Sequence, residues 1–112
     1  MSDQPTGSTT IAPEVLHTIA RLTTLNVPGV SRMAPLINPY DRVLTQKYGE
    51  GVKIVLDDDT LFVDLFVVLD SEDNVRVVSK NIQENVSRAI TEMVGMQVAS
   101  VNIHIVDIDF DI

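Results

Sequence analysis

Alternation of apolar and polar residues is clearest between residues 52 and 69, in the stretch "VKIVLDDDTLFVDLFVVL". Two alternating runs flank a polar "DDDT" segment, which is typical of a β-hairpin with a four-residue loop. The register that aligns the two runs predicts these cross-strand pairs: Leu56 with Leu61, Val55 with Phe62, and Lys53 with Asp64.

Helical spacing of apolar residues predicts two helices. The first begins at Pro13 and ends before Pro28, because the residue preceding a proline avoids the helical region. The second lies within residues 71–96, with Ser71 or Asn74 as its N-terminal cap, and it ends at Gly95, where glycine suits a left-handed C-terminal cap. The predicted buried stripes are Val15, Leu16, Ile19, Ala20 and Leu22 or Thr23 in the first helix, with Thr24 on the opposite face, and Val78, Ile82, Val86, Ala89, Ile90 and Met93 in the second.

Two further strands, over residues 30–33 and about 98–108, complete the predicted elements. The order α-β-β-β-α-β favours an α+β fold, a two-layer sandwich in which both helices pack on one face of a small mixed sheet of three to four strands. The hairpin is antiparallel, and the connection through the second helix is predicted to be a right-handed parallel crossover.

Length and composition predict one domain. The chain has 112 residues, and we expect a single domain over residues 11–108. Residues 1–10 are small and polar and are interpreted as a disordered tail. Residues 34–50 form a long, irregular loop within the domain, and residues 109–112 are a short end of alternating acidic and apolar residues.

Two helices on one face leave the other face of the predicted sheet uncovered. Outward positions of the strands are apolar, and the ending "DIDFDI" continues that row. Such a patch usually marks an interaction surface. The predicted protein interface consists of Val55, Phe62, Phe66, Val68, Val106, Ile108 and Phe110. In the alternatives, residues 1–12 or 34–50 fold back over this face, or a β-bulge turns the stripe inward.

Charge restricts the class of partner. The chain has 16 acidic and 8 basic residues, a formal net charge of −8. Because nucleic acids and anionic lipids are bound through clustered Lys and Arg, we expect a protein partner, with no nucleic acid and no direct membrane insertion. The sequence has neither a secretory signal pattern nor an apolar run of ~20 residues, and it has no cysteine, so we expect a cytoplasmic protein without disulfides.

Residues that could support catalysis are few and dispersed. The "DDD" at 57–59 lacks the glycine and glutamate of a calcium loop, so an acidic turn is the better interpretation. His17 and His104 lie on different elements without ligand-spaced companions. No serine or cysteine is placed to complete a triad with His104 and Asp64. We therefore expect no catalytic, cofactor-binding or metal site, and no enzymatic activity.

Most of the sequence resembles the alkaline shock protein family of bacterial envelope stress response proteins. The resemblance covers about residues 9–108, and its most specific parts are "NVPGV", "IQENV" and "VNIHIVDI". It implies a small, non-enzymatic cytoplasmic α+β domain without a cofactor, in which Pro28, Gly29 and Gly95 are structural. It also implies that some members bind a membrane-embedded anchor protein and self-associate into homo-oligomers, whereas others are soluble accessory proteins. The long 34–50 segment is a departure from the family pattern.

Three functions are compatible with the sequence. The first is a scaffold or adaptor of the envelope stress response that binds proteins through the uncovered sheet face. The second is a soluble regulator that binds a metabolic enzyme or small ligand through the 34–50 loop. The third is a nucleic-acid binder that stacks bases on Phe62 and Phe66, which the intervening Asp64 and the net charge oppose.

Overall fold

The computed structural model describes residues 10–35, 51–72 and 74–109. Its elements are α1 (Pro13–Leu25), β1 (Val30–Met33), β2 (Val52–Asp57), β3 (Thr60–Leu69), α2 (Val75–Val94) and β4 (Gln97–Ile108). The predicted order and the α+β class are confirmed. The predictions for the tail at 1–9, for most of the 34–50 loop and for Phe110 lie outside the described residues.

β3 is the central strand of a four-stranded mixed sheet. β4 runs parallel to β3 along one edge, while β1 and β2 pair antiparallel with β3. The predicted antiparallel hairpin and parallel crossover are therefore confirmed. The predicted hairpin register is also confirmed, since the pairs are Leu56 with Leu61, Val55 with Phe62, and Lys53 with Asp64.

The predicted four-residue hairpin loop is wrong. Asp57 pairs with Thr60, which leaves a turn of Asp58 and Asp59 only. Both turn residues have positive φ, 53° and 66°, as a type I′ turn requires. Aspartate tolerates this left-handed conformation better than most residues, and the twist of the turn matches that of the flanking strands.

β1 and β2 lie end to end on the same edge of β3. At their junction the Ala34 N–H donates to the Phe66 carbonyl, and the Phe66 N–H donates to the Gly51 carbonyl, both at 2.8 Å. In an unbroken antiparallel ladder, a single residue makes both of these bonds. Ala34 and Gly51 thus share the role of one residue. The chain between them is an insertion in an otherwise continuous strand.

The hydrophobic core lies between the sheet and the two helices. Every second residue of β3, from Leu61 to Leu69, is fully buried, and truncating one such leucine to alanine costs about 2–5 kcal/mol. The helices contribute these buried residues to the same cluster: Leu16, Ala20, Val78, Ile82, Val86 and Ile90. Phe62 and Phe66 are not part of this cluster. Among the described residues, the helices therefore cover one face of the sheet only, as predicted.

The predicted buried stripes of the helices need four corrections. Val15 and Leu22 are about half exposed, at 46% and 49%, and Met93 in the last turn of α2 is 71% exposed. Thr24, predicted to face outward, is fully buried. Its hydroxyl donates to the Ala20 carbonyl at 2.7 Å, which satisfies the polar group inside the core and allows its burial. Neither helix, within the described residues, is long and apolar enough to cross a membrane.

Gly51 is required by both conformation and space at the β1–β2 junction. Its φ is 75°, and a Cβ there would lie 2.6 Å from the Phe66 carbonyl oxygen and 2.8 Å from that of Ala34. Gly95, the C-terminal cap of α2, has a similar φ of 78° but no atom within 4 Å of its Cβ position. The two glycines therefore have nearly the same φ and differ in the room that their surroundings leave for a side chain.

We expect Gly95→Ala to lower the free energy of unfolding by about 1 kcal/mol, the cost of a left-handed non-glycine residue. Gly51→Ala should lower it by about 3 kcal/mol, because the backbone clash adds to the same conformational cost. Urea unfolding followed by circular dichroism measures both values. Equal losses for the two variants would show that the junction is not tightly packed.

Candidate protein interface on the open face of the sheet

The open face, the side of the sheet away from the helices, is organised by alternate residues of β3. The outward row consists of Thr60, Phe62, Asp64, Phe66 and Val68. Phe62 is 38% exposed, and its partner on β2, Val55, is 47% exposed. These two side chains form an accessible apolar pair near the hairpin turn, as the sequence predicts.

A polar cluster of Asp64, Asn102 and His104, the Asp64 cluster, occupies the middle of the open face. Asp64 Oδ1 accepts hydrogen bonds from Asn102 Nδ2 at 3.2 Å and from His104 Nε2 at 3.0 Å. The hydrogen bond from His104, followed by that from Asn102, holds the pKa of Asp64 below its ordinary value of 3.8, and the nearby charge of Lys53 acts in the same direction. The parallel register of β3 and β4 brings these residues together in the middle of the face.

Phe66 stacks on His104 beside this cluster. The ring centroids are 4.4 Å apart and the ring planes differ by 12°. The stack holds the imidazole in the orientation in which Nε2 reaches Asp64. Phe66 is consequently half-buried and offers less accessible area than Phe62.

β4 contains two β-bulges, and the second of them alters the predicted outward row. Ala99 has no partner on β3, because Leu61 pairs with Val98 and Phe62 with Ser100. Val106 has none either, because Val67 pairs with Ile105 and Val68 with Asp107. Each extra residue shifts the alternation by one position. Val106 is 58% exposed at its bulge. The bulge at Val106 therefore confirms, at this end of β4, the alternative in which a β-bulge turns the stripe inward.

The predicted outward position of Ile108 is wrong. After the bulge at Val106, Ile108 pairs with Leu69 and packs against the core on the helix side of the sheet. Asp107 takes the outward position opposite Val68 instead. The apolar row of β4 therefore turns inward at its C-terminal end.

Val68 is on the outward row but is not accessible. It is 1% exposed, and its neighbours on the two flanking strands are Arg32 and Asp107. Asp109 Oδ2 joins β1 to the end of β4 by accepting hydrogen bonds from Ser31 Oγ at 2.8 Å and Arg32 Nε at 3.2 Å. These two hydrogen bonds, of which that from Ser31 has the larger effect, hold the pKa of Asp109 below its ordinary value. Polar contacts between β1 and the residue after β4 therefore lie at this end of the sheet.

The structure thus divides the predicted interface residues into groups. Val55, Phe62 and Val106 are exposed, whereas Phe66 is half-buried in its stack with His104. The predicted members that do not contribute a described accessible surface are Val68, Ile108 and Phe110, the last of which lies outside the described residues. No group of three or more His, Asp or Glu residues in the described ranges is arranged to hold a metal ion.

Solved structures with a similar arrangement are C-terminal domain variants of MamM. One MamM CTD variant has a TM-score of 0.52 and 16% sequence identity, covering 86% of this chain and 99% of that domain. A second has a TM-score of 0.51 and 17% identity, covering 84% and 95%. At such low identity, the likeness concerns the fold alone.

Sequence comparisons give a closer relation. The chain is 32% identical to the uncharacterized protein YqhY of Bacillus subtilis (strain 168) over 114 residues, covering 97% of this chain and 82% of YqhY. It is 31% identical to the uncharacterized protein Spy1535 of Streptococcus pyogenes serotype M6 over 111 residues, covering 94% and 81%. The model of the alkaline shock protein family, described by a cell envelope-related function, matches residues 1–110. The resemblance found in the sequence is thereby confirmed, and this chain belongs to the alkaline shock protein family.

Proposed function

We propose that this protein is a non-enzymatic scaffold or adaptor of the envelope stress response that binds another protein through the open face of its sheet. The observation that carries the proposal is the exposed Val55–Phe62 pair on a face that the described helices leave uncovered. Apolar side chains grouped on a sheet face are typical of protein contacts. The description of the family, cell envelope-related function, agrees with this role.

The pattern of the open face indicates what a partner must present. An apolar group of the partner would cover Val55 and Phe62. Next to it, the Asp64 cluster offers a carboxylate whose lowered pKa keeps it ionised at neutral pH. The partner would therefore pair an apolar anchor with a hydrogen-bond donor or cation, an arrangement common at the centre of interfaces. We propose that this partner is a membrane-embedded anchor protein, which would hold the otherwise cytoplasmic protein at the membrane.

The second candidate function, a regulator that binds through the 34–50 loop, is favoured by one observation. Ala34 and Gly51, at the two ends of this loop, both hydrogen-bond to Phe66. The loop therefore leaves and rejoins the sheet next to the open face. Experiments must separate the loop from the face, because Ala34 and Gly51 both bond to Phe66, a residue of the open face.

Replacement of the exposed pair tests the first function. We expect the double variant Val55→Ser, Phe62→Ser to lose roughly tenfold or more in affinity for the partner, because about 1.4 kcal/mol of apolar contact corresponds to each factor of ten. The partner is first identified by affinity capture from the native cell, and its affinity for purified variants is then measured by calorimetry. Phe66→Asp should also abolish association.

A matched control is Met93→Ser on α2. Met93 is more exposed than either Val55 or Phe62, at 71% against 47% and 38%, but lies on a helix. Its replacement should leave the affinity unchanged. Unchanged affinity of the double variant, with an intact circular dichroism spectrum, would exclude the open face as the contact.

Deletion of residues 35–51 tests the second function. The deletion joins Ala34 to Val52, so that Ala34 alone can make both hydrogen bonds to Phe66. We expect this variant to fold with the same sheet register and to retain partner affinity within about twofold, a change of less than ~0.5 kcal/mol. Loss of affinity in a folded deletion variant, with unchanged affinity of the double serine variant, would assign binding to the loop.

The Asp64 cluster can be tested by its titration. We expect His104→Ala to raise the pKa of Asp64 towards its ordinary value, and Asn102→Ala to raise it less, because the hydrogen bond from His104 is the larger cause. Carbon-detected NMR titration of the carboxyl group measures these values. Since folding lowers this pKa, the ionised carboxylate stabilises the fold at neutral pH, and that contribution is lost as the pH falls from 3.8 through the lower folded-state value. An unchanged midpoint in His104→Ala would contradict the cluster geometry.

A further inference from the structure

β4 is an edge strand, and the hydrogen bonds of β3 show which of its backbone groups face outward. The N–H and C=O of Phe66 point to the β1–β2 edge. Successive residues of a strand point to opposite edges, so the groups of Leu65 and Val67 point to β4. In the parallel pairing, the backbone hydrogen bonds of Leu65 and Val67 join them to His104, which lies opposite Phe66. The backbone groups of Ile103 and Ile105 therefore face away from β3, towards the free edge of the sheet.

Side chains of the same chain occupy both ends of this free edge. Gln83 on α2 donates from Nε2 to the Val101 carbonyl at 2.9 Å. The Ile108 N–H donates to Asp107 Oδ1 at 2.8 Å. Between these two points, the outward N–H and C=O groups of Ile103 and Ile105 have no hydrogen-bond partner among the described residues. An unpaired stretch of this kind is a template for another strand.

The composition of the free edge is unusual for an exposed strand. Natural edge strands are commonly protected by Lys, Pro or inward charges. Residues 98–106, "VASVNIHIV", contain no Asp, Glu, Lys or Arg, although the chain as a whole is 21% charged. The opposite edge differs, because β1 carries Arg32 and β2 carries Lys53 and Asp57. The β4 edge is therefore the better suited of the two to pair with another strand.

A second copy of the same strand fits this edge. Antiparallel pairing centred on Ile103 places Ile103 opposite its symmetry mate, Val101 opposite Ile105, and Asn102 opposite His104. The outward N–H and C=O groups of Ile103 and Ile105 then all have hydrogen-bond partners on the other copy. No charged residue meets a like charge within residues 98–106, so the net charge of −8 on each copy is kept away from the contact. The Val101 carbonyl can keep Gln83, since a carbonyl oxygen accepts two hydrogen bonds.

We propose that two copies of this chain pair antiparallel through β4, centred on Ile103, and join their four-stranded sheets into one. The two-fold axis of such a pair is perpendicular to the sheet. Both open faces consequently lie on the same side, with His104 of each copy beside Asn102 of the other. The inference is independent of the proposed function, because it uses the edge of the sheet rather than its face.

Cysteine cross-linking tests the pairing, because the natural sequence contains no cysteine. In Ile103→Cys the two Cα atoms of the pair would be about 5.5 Å apart, within disulfide range. In Val106→Cys, which replaces a more exposed residue of the same strand, the two copies would be about 20 Å apart. We expect Ile103→Cys to form a disulfide dimer roughly tenfold or more faster than Val106→Cys under mild oxidation. Equal rates for the two variants would overturn the proposal.

Two further measurements keep the test decisive if Ile103→Cys fails to fold. Asn102 and His104 are both exposed, and a mixture of Asn102→Cys with His104→Cys should cross-link faster than either variant alone, because these positions lie opposite each other in the pair. Sedimentation equilibrium of the natural chain should show a reversible dimer. A monomer at every concentration, or no preference for the mixed cross-link, would overturn the pairing. Neither result would bear on partner binding by Val55 and Phe62.

Discussion

Burial of alternate β3 side chains is the constraint on which the rest of the structure depends. Leu61, Val63, Leu65, Val67 and Leu69 are all fully buried, and both helices pack against this single row. A shift of β3 by one residue would expose the row and bury Asp64, so the register is strongly determined. Because β3 pairs along both of its edges, this one register also fixes the positions of β1, β2 and β4.

The same alternation defines the functional surface. The residues between the buried ones point to the open face, where Phe62 is accessible and Asp64 collects hydrogen bonds from β4. The hairpin supplies Val55, and the parallel strand supplies Asn102 and His104. The open face therefore has three parts. They are an apolar pair near the hairpin turn, a polar centre, and an end at which the Arg32–Asp109 ion pair lies.

The spacing of apolar and polar residues within one segment predicted the features that such a segment determines by itself. The hairpin register followed from alternation, and the C-terminal cap at Gly95 followed from the glycine itself, which has φ 78°. A β-bulge was one of the expected alternatives, but its position at Val106 could not be predicted, because a β-branched residue suits a regular strand as well as a bulge. The Asp64 cluster depends on the pairing of strands far apart in sequence, which spacing within either strand does not reveal. A signal existed for the junction, since Gly51 stands immediately before an alternating run, but its meaning depends on contact with Ala34.

The broken strand between Ala34 and Gly51 makes this position a natural graft site. Both ends of the intervening segment meet at one rung of the ladder, so the sheet does not prescribe how many residues lie between them. The entropic cost of closing a longer loop rises only by about 0.6 kcal/mol for each doubling of its length. Evolution, or an engineer inserting a reporter domain, can therefore change what the chain carries there without disturbing the strands on either side.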